Sequence, residues 1–157
     1  MAMDIKVIED LNKLDVSKLV EESEAEGYRF LRRLVKQYED GTNTFNKAGE
    51  VLYGVWDPAG ELVAIGGLNR DPYSDKSGIG RLRRFYISEH ARRQGIGTKL
   101  LKEILNYGQG HFSEIVVRTD SSIADAFYRA NGFSGDLGMP DVTHHIVLDN
   151  EFSKEAK

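Results

Sequence analysis

The feature that most constrains the fold is a strand, a glycine loop and a helix that follow one another between residues 79 and 105. The loop reads Arg92-x-x-Gly95-x-Gly97, so two glycines stand at the helix start with arginines before them. A helix start directs several free backbone N–H groups and the positive end of the helix dipole at one point. The glycines leave the backbone open to close approach by an anion. The spacing therefore predicts a pyrophosphate site at this loop.

Two better-known phosphate motifs do not match this loop. A P-loop ends in Gly-Lys-Ser/Thr, whereas Thr98-Lys99 follows Gly97. A dinucleotide fingerprint needs a third glycine three residues after Gly97, where Leu100 stands. The remaining pattern resembles the coenzyme A pyrophosphate loop of the GNAT superfamily of N-acetyltransferases, whose motif is Arg/Gln-x-x-Gly-x-Gly/Ala.

A second motif further along the chain agrees with this resemblance. Residues 113–118 alternate and are rich in β-branched side chains, which predicts a strand. The following segment, Ala124-x-x-Phe127-Tyr128-x-x-x-Gly132-Phe133, is similar to the family's tyrosine helix, Ala-x-x-x-Tyr-x-x-x-Gly-Phe. In the family the loop, the strand and this helix come in the same order. The resemblance covers roughly residues 50 to 150.

Local signals predict the tyrosine helix on their own. Ser121 or Ser122 can cap its start, and Ser122-x-x-Asp125 has the form of a capping box. Helical spacing predicts an apolar stripe made of Ile123, Ala126, Phe127 and Ala130. Tyr128 is then predicted to lie off this stripe, about 100° around the helix from Phe127. Asn131-Gly132 ends the helix, since both residue types tolerate left-handed dihedrals.

The predicted elements of the whole chain run in the order βααβββαβαββ. Strands are expected at residues 4–9, 51–56, 62–68, 79–88, 113–118, 132–137 and 142–149, the last two joined through Gly138-Met139-Pro140. This order implies one mixed α/β (α+β) fold with a mostly antiparallel seven-stranded sheet and helices on both faces. The GNAT fold is such a sheet. The length predicts a single domain over residues 1–157, and the resemblance implies that it is an N-acetyltransferase domain.

The resemblance implies that acetyl-CoA is the cosubstrate and that no metal is needed. In the family two neighbouring strands, here 79–88 and 114–119, splay apart and pantetheine enters the wedge. The amides of residues 94–98 would then hold the pyrophosphate. The implied cofactor-binding residues are Phe85, Tyr86, Ile87, Arg92, Arg93, Gln94, Gly95, Ile96, Gly97, Thr98 and Ser121.

The implied reaction is direct attack of a primary amine on the thioester in a ternary complex. Tyr128 occupies the family's acid position, where its hydroxyl would protonate or hydrogen-bond the departing thiolate; the alternative is a tyrosine that only packs. A lysine-like amine, with a pKa of about 10.4, is charged at neutral pH and needs to lose a proton first. Some members carry a glutamate base where Arg81 stands here, and many carry an asparagine where Ser121 stands. The base therefore stays open among Glu26, Asp71, Asp120, His144 and His145, each of which also fits a surface or capping role.

Three sequence features bear on the acceptor. The segment Glu21-Glu22-Ser23-Glu24-Ala25-Glu26 would attract a cationic amine if it rims the site, or be a solvated helix face. Arg81, Arg83 and Arg84 lie on a predicted inner strand, where they need acidic partners, an acidic acceptor or a cofactor phosphate; pairing within the chain is favoured. The neighbours His144 and His145 point to opposite faces of a strand, which argues against a shared metal.

Composition narrows the class of protein. The absence of cysteine excludes a thiol acyl-enzyme and thiolate metal sites, and a net charge of −4 argues against non-specific nucleic-acid binding. No apolar run long enough for a membrane span and no signal peptide is found, which predicts a cytoplasmic protein without a membrane partner. The acceptor would be a small-molecule or peptide amine, and a homodimer is one assembly the family uses. The alternative function is a non-catalytic acyl-CoA-binding or sensor module of the same fold.

Overall fold

The computed structural model describes residues 3–74, 78–135 and 141–148, which form one seven-stranded sheet with helices on both faces. The strands are β1 (Asp4–Val7), β2 (Val51–Trp56), β3 (Leu62–Arg70), β4 (Ile79–Ile87), β5 (Glu114–Val117), β6 (Ser134–Gly135) and β7 (His144–Val147). The helices are α1 (Ser17–Ala25), α2 (Phe30–Glu39), α3 (Ile96–Gln109) and α4 (Ser122–Ala130). The predicted element order is confirmed.

The sheet order is β1-β2-β3-β4-β5-β7-β6, and every pairing is antiparallel except that of β4 with β5. This parallel pair is short, because it extends only from Ile79 opposite Glu114 to Arg81 opposite Val116. Beyond Arg81, β4 continues to Ile87 paired with β3 on one side alone. The middle of the sheet therefore opens into a wedge along the second half of β4.

A bulge changes the register of β4 inside this wedge. Ile65 pairs with Tyr86 and Gly67 with Arg83, so Arg84 and Phe85 together stand opposite one residue of β3. Arg84 has a positive φ of 59°, a conformation that non-glycine residues adopt only at a cost. Such bulges bend a strand and redirect its side chains.

Each face of the sheet carries its own core. On one face, the apolar side of α3 buries Leu100, Leu101 and Ile104 completely. On the other face, α1 and α2 cover the sheet, and Leu31 and Leu34 of α2 belong to the same buried cluster as Tyr86. The 3.6-residue spacing in the helices and the alternation in β4 explain this two-sided burial. No helix of the described ranges is long and apolar enough to cross a membrane.

Two predictions about α4 and one about the tail are corrected by the structure. Ile123 is 83% exposed, so the expected stripe is wrong, and Tyr128 is the buried residue of α4. Aromatic packing against the sheet edge selected this face, which spacing alone did not reveal. Ser121 caps the helix, and the expected Ser122–Asp125 capping box does not form. The last two strands begin two residues later than predicted, at Ser134 and His144, and Gly138-Met139-Pro140 lies outside the described residues.

Candidate active site

The glycine loop joins the end of β4 to the start of α3 through a 3₁₀ turn at Glu89–Ala91. Arg93 and Gly95 both have positive φ, 64° and 79°, and Gly95 is the N-cap of α3. The first helical hydrogen bond runs from the Lys99 amide to the Gly95 carbonyl at 3.1 Å. Within the described chain, the amides of residues 93–98 have no acceptor. The loop thus presents a row of free N–H donors at the positive end of a helix dipole.

The two glycines keep this surface open in different ways. Around Gly95, a methyl group would meet nothing within 4 Å, so only its left-handed backbone requires glycine. At Gly97 a methyl group would lie 3.5 Å from Phe127 and 3.7 Å from Ile87, which are ordinary contact distances. Phe127 of α4 therefore packs onto both the helix start and the end of β4. This contact brings the tyrosine helix beside the glycine loop.

Tyr128 is held by aromatic packing and its hydroxyl is unpaired. Its ring lies 5.4 Å from Phe127, 5.3 Å from Phe133 and 5.8 Å from His144 between centroids. The residue is 5% exposed, and its hydroxyl makes no hydrogen bond within the described ranges. That oxygen is nevertheless absent from the fully buried unpaired atoms, so its tip reaches an opening. Burial raises the pKa of Tyr128, which keeps the proton on the hydroxyl at neutral pH.

A buried histidine lies next to this tyrosine. The Nε2 atom of His144 is 2.6 Å from an Asp125 carboxylate oxygen, and its Nδ1 is 2.8 Å from the Thr143 hydroxyl. Asp125 also accepts a hydrogen bond from Arg129 at 2.8 Å. Sequence reasoning assigned Asp125 to a capping box and missed this pair. No local sequence pattern predicts this pair, because Asp125 and His144 belong to different elements that meet only in the folded protein.

Tyr86 sends its side chain to the opposite face, towards α1. Its hydroxyl donates to Glu22 at 2.7 Å and lies in hydrogen-bond contact with Glu26 as well. Burial, and then the hydrogen bonds to Glu26 and Glu22, raise the pKa of Tyr86. Only the backbone of Tyr86 therefore borders the wedge, whereas Phe85 points to the other side and packs 5.8 Å from Phe127.

Glu22 ties α1 to the end of β4. It accepts hydrogen bonds from the Ser88 hydroxyl and from the Glu89 amide, both at 2.8 Å. Burial would raise the pKa of Glu22, but the hydrogen bonds from Tyr86, Glu89 and Ser88 outweigh it and leave the pKa below its usual value. The carboxylate is ionised and its oxygens are occupied. The only sequence signal for this arrangement is the spacing of Glu22 and Glu26, which predicts that both side chains lie on one helix face.

The side chains of the predicted loop residues mostly bind within the protein. The guanidinium of Arg92 donates to two oxygens of Glu26 and to the Ile87 carbonyl at 3.0 Å. Gln94 donates to the His90 carbonyl at 3.1 Å, while Arg93 is exposed. The Ser121 hydroxyl accepts from the Ala124 amide, as a helix cap. The groups of the loop that remain free to bind a ligand are therefore mainly backbone amides. Among the glutamates of residues 21–26, Glu24 pairs with Arg32 at 2.7 Å and Glu26 with Arg92, whereas the donors to Glu22 are uncharged.

The arginines of β4 differ in their partners. Arg81 forms a buried ion pair with Asp71 at 2.8 Å and stacks over the Tyr73 ring at 4.7 Å, which confirms pairing within the chain for this residue. Arg84 is buried and donates to Gln37 at 3.0 Å, but no carboxylate of the described ranges pairs with it. Arg83 makes no hydrogen bond or ion pair within those ranges; burial lowers its pKa, while Tyr73, Asp71 and Glu50 act in the opposite direction.

Each of the five candidate bases is already engaged. Glu26 binds Arg92, Asp71 binds Arg81, and His144 binds Asp125. His145 lies 2.7 Å from Glu114, and Asp120 lies 3.6 Å from Arg118 at the surface. The two neighbouring histidines contact different carboxylates.

One group of potential metal ligands occurs among the described residues, formed by Asp57, Glu61 and His90. Its members have other partners: Asp57 accepts from turn amides, Glu61 from Lys18, and His90 contacts Ser88 at 2.8 Å. It lies outside the wedge and gives no reason to assign a metal to it.

Comparisons with known proteins agree with this geometry. Residues 13–133 match the model of the acetyltransferase (GNAT) family. The N-alpha-acetyltransferase RimI of Mycobacterium tuberculosis is 33% identical over 81 residues, which cover 47% of this chain and 46% of that protein. The match therefore spans about half the length of the curated relative.

Solved structures share the whole fold. A candidate acetyltransferase from Exiguobacterium sp. 255-15 superposes with a TM-score of 0.86 at 24% identity, covering 100% of both chains. A GNAT-family acetyltransferase from Staphylococcus aureus Mu50 gives a TM-score of 0.73 at 18% identity, covering 94% of this chain and 100% of that one. At these identities the likeness concerns the fold.

Proposed function

Because the chain belongs to the acetyltransferase (GNAT) family, we propose that it transfers an acetyl group from acetyl-CoA to a primary amine. The observation that carries this proposal is the second half of β4, which has no strand partner on its β5 side and leads directly into the free amides of residues 93–98. A strand edge and an anion-binding helix start lie in line, as an elongated ligand with a pyrophosphate in its middle requires. Acetyl-CoA has this form.

The loop supports the pyrophosphate part of the proposal. Its free N–H groups and the α3 dipole favour negative charge, and Gly95 and Gly97 leave the backbone uncovered. The side chain of Arg92 holds the loop to α1, so it contributes by fixing the loop and not by reaching a phosphate. Arg93 is exposed beside the loop and can add positive charge.

The strand edge supports the pantetheine part. Backbone groups of Phe85, Tyr86 and Ile87 on the wedge side have no β5 partner. Pantetheine carries two amides that can pair with such an edge as another strand would. A backbone N–H at the bulge is also a donor suited to polarise the thioester carbonyl, where negative charge develops during attack.

Tyr128 is proposed as the group that protonates or hydrogen-bonds the departing thiolate. Its hydroxyl is protonated, lacks a competing acceptor and sits on the helix that packs onto the loop. The five candidate bases are held in other pairs, so we propose that water in the wedge takes the proton of the attacking amine. The amine then attacks the thioester directly, without an acyl-enzyme.

Calorimetry with acetyl-CoA, desulfo-coenzyme A and AMP tests the proposal. Micromolar binding of the first two and much weaker binding of AMP would support recognition of both pyrophosphate and pantetheine. No binding of acetyl-CoA at millimolar concentration would contradict the acyltransferase proposal. An amine screen that follows free thiol release then separates an enzyme from a sensor module, because a sensor binds acetyl-CoA and releases no thiol above the uncatalysed rate.

A further inference from the structure

The second half of β4 carries more positive charge than the described protein neutralises. In the register, Arg81 stands opposite Asn69 and Arg83 opposite Gly67, so both side chains belong to the face covered by α1 and α2. The bulge places Arg84 against Gln37 of α2, on that same face. Asp71 is committed to Arg81, and no carboxylate of the described ranges forms an ion pair with Arg83 or Arg84, although Asp71 and Glu50 lie near enough to Arg83 to favour its charge.

Arg84 combines an unpaired buried donor with the lack of a carboxylate partner in the described ranges, whereas Arg81, whose Nη2 atom is also buried and unpaired, has Asp71. Arg84 is 9% exposed, its Nη2 atom donates to Gln37, and its Nε atom is buried with no hydrogen-bond partner. Its Nη1 atom makes no hydrogen bond either, yet it is not among the fully buried unpaired atoms, so it borders an opening. A buried guanidinium with free donors is costly to a folded chain unless a ligand completes it.

The surroundings of Arg84 are positively charged. Burial, followed by the nearby charges of Arg83 and Arg33, lowers the pKa of Arg84 to about 10, while Tyr73 acts in the opposite direction. The guanidinium is still charged at neutral pH. Its hydrogen-bond partner within the described ranges, Gln37, is neutral and does not offset the charge.

Resting on the proposed function, we propose that the acceptor amine carries a carboxylate and that Arg84, assisted by Arg83, binds this carboxylate. A guanidinium matches a carboxylate because its planar fork donates two parallel hydrogen bonds. Arg84 and Phe85 are consecutive in the bulge, and Phe85 begins the stretch proposed to face pantetheine. An anion on Arg84 would therefore hold its amine beside the thioester end of the wedge.

A cofactor phosphate is the other source of an anion, and position disfavours it. Arg84 lies three residues before the end of β4, which is roughly 10 Å along the strand. The free amides follow that end and lie beyond it. Arg84 also contacts α2, whereas the glycine loop opens α3 on the other face.

The test measures binding, with the full chain saturated with desulfo-coenzyme A. Pairs of amines that differ only in a carboxylate or a carboxamide, namely amino acids and their amides, are titrated by calorimetry. We expect at least one acid to bind roughly 10-fold or more tightly than its amide, as a charge-assisted pair requires. Arg84→Gln should abolish the preference, and Arg84→Lys should restore only part of it because the fork is lost.

Control variants distinguish the loss of the proposed carboxylate site from a loss of folding. Arg83→Gln, at a half-buried position, should weaken the same preference. It replaces Arg84→Gln as the test variant if Arg84→Gln does not fold. Arg32→Gln removes an exposed arginine of α2 that pairs with Glu24, and it should leave the preference unchanged. Binding of acetyl-CoA and its 3′-dephospho form is measured in parallel on the wild type and Arg84→Gln.

Equal binding of acids and amides, or no binding of any acid to protein that binds acetyl-CoA, would overturn the carboxylate site and leave acetyl transfer standing. If Arg84→Gln removes only the preference for the 3′-phosphate, the arginine serves the cofactor and the inference is wrong. Absence of acetyl-CoA binding would instead overturn the proposed function, so the two failures are distinguishable.

Discussion

The guanidinium of Arg92 in the glycine loop binds the carboxylate of Glu26, the C-cap residue of α1, through two contacts of 2.6 and 2.9 Å. The same guanidinium donates to the Ile87 carbonyl at the end of β4. The Arg92 side chain thus connects three parts of the site, namely the end of α1, the end of β4 and the glycine loop. The first residue of the phosphate motif acts as an anchor in this structure.

Glu26→Ala should release this anchor. The ion pair is partly exposed, so we expect a loss of about 1 kcal/mol or less in unfolding free energy. Because the loop loses its fixed position, acetyl-CoA affinity should also fall, by roughly threefold to tenfold. Glu24→Ala breaks the comparable ion pair between Glu24 of α1 and Arg32 of α2. It should lower stability by a similar amount without changing the affinity for acetyl-CoA. Equal affinities for both variants in calorimetry would argue against the anchor.

The cluster around Tyr86 should make the protein sensitive to acid. The pKa values of Glu22 and Glu26 are lowered in the fold, so their contribution to stability is complete above the usual value of 4.5. It is lost as the pH falls from 4.5 through the lower values of the folded state. Glu22→Gln should therefore be less stable at neutral pH and show a flatter decline below pH 4.5 in urea unfolding. A decline as steep as that of the wild type would contradict this assignment.

Tyr128→Phe offers a test of the proposed acid that leaves the fold intact. The hydroxyl has no hydrogen-bond partner within the described residues, so its removal should change stability by less than about 0.5 kcal/mol. Turnover should fall by roughly 10- to 1,000-fold for a lost acid, with little change in acetyl-CoA affinity. Thiol-release kinetics and calorimetry supply the two readouts, and unchanged turnover would remove Tyr128 from the mechanism.

The two loop glycines should respond differently to alanine. At Gly95 the positive φ makes alanine strained, and we expect a cost of about 1 kcal/mol in stability. At Gly97 an added methyl group meets only ordinary contacts, so Gly97→Ala should fold normally. A bulkier Gly97→Val should cover the helix start and reduce acetyl-CoA affinity more than it reduces the melting temperature. Full affinity in Gly97→Val would exclude this surface as the pyrophosphate site.

The buried pair of Arg81 and Asp71 should dominate stability on β4. Both side chains are nearly inaccessible, at 4% and 5% exposure, so Asp71→Ala leaves an unpaired buried charge. A loss of about 3–5 kcal/mol in unfolding free energy is expected. Asp120→Ala breaks an exposed pair with Arg118 and should cost close to nothing. Similar losses in the two variants, measured by urea unfolding, would refute the distinction.

Much of the fold followed from the sequence because its signals are local. The Arg92-x-x-Gly95-x-Gly97 spacing marked the helix start, and the apolar run Val51–Trp56 was predicted as a strand with the bounds that the structure shows. These patterns depend on backbone geometry over a few residues. The two motifs then gave the order of loop, strand and tyrosine helix, which the structure confirms.

Only the tertiary structure decided which side chains are free. Glu22 and Tyr86 are 64 residues apart, and Asp125 meets His144 across 19 residues, so no local spacing predicts either contact. The bulge at Arg84 depends on the pairing of β4 with β3 and left a guanidinium buried without a counter-charge. The sequence by itself determined the elements and the glycine loop, since short-range dihedral preferences control them. Charge pairing and the orientation of Tyr128 were decided by packing between elements distant in the chain.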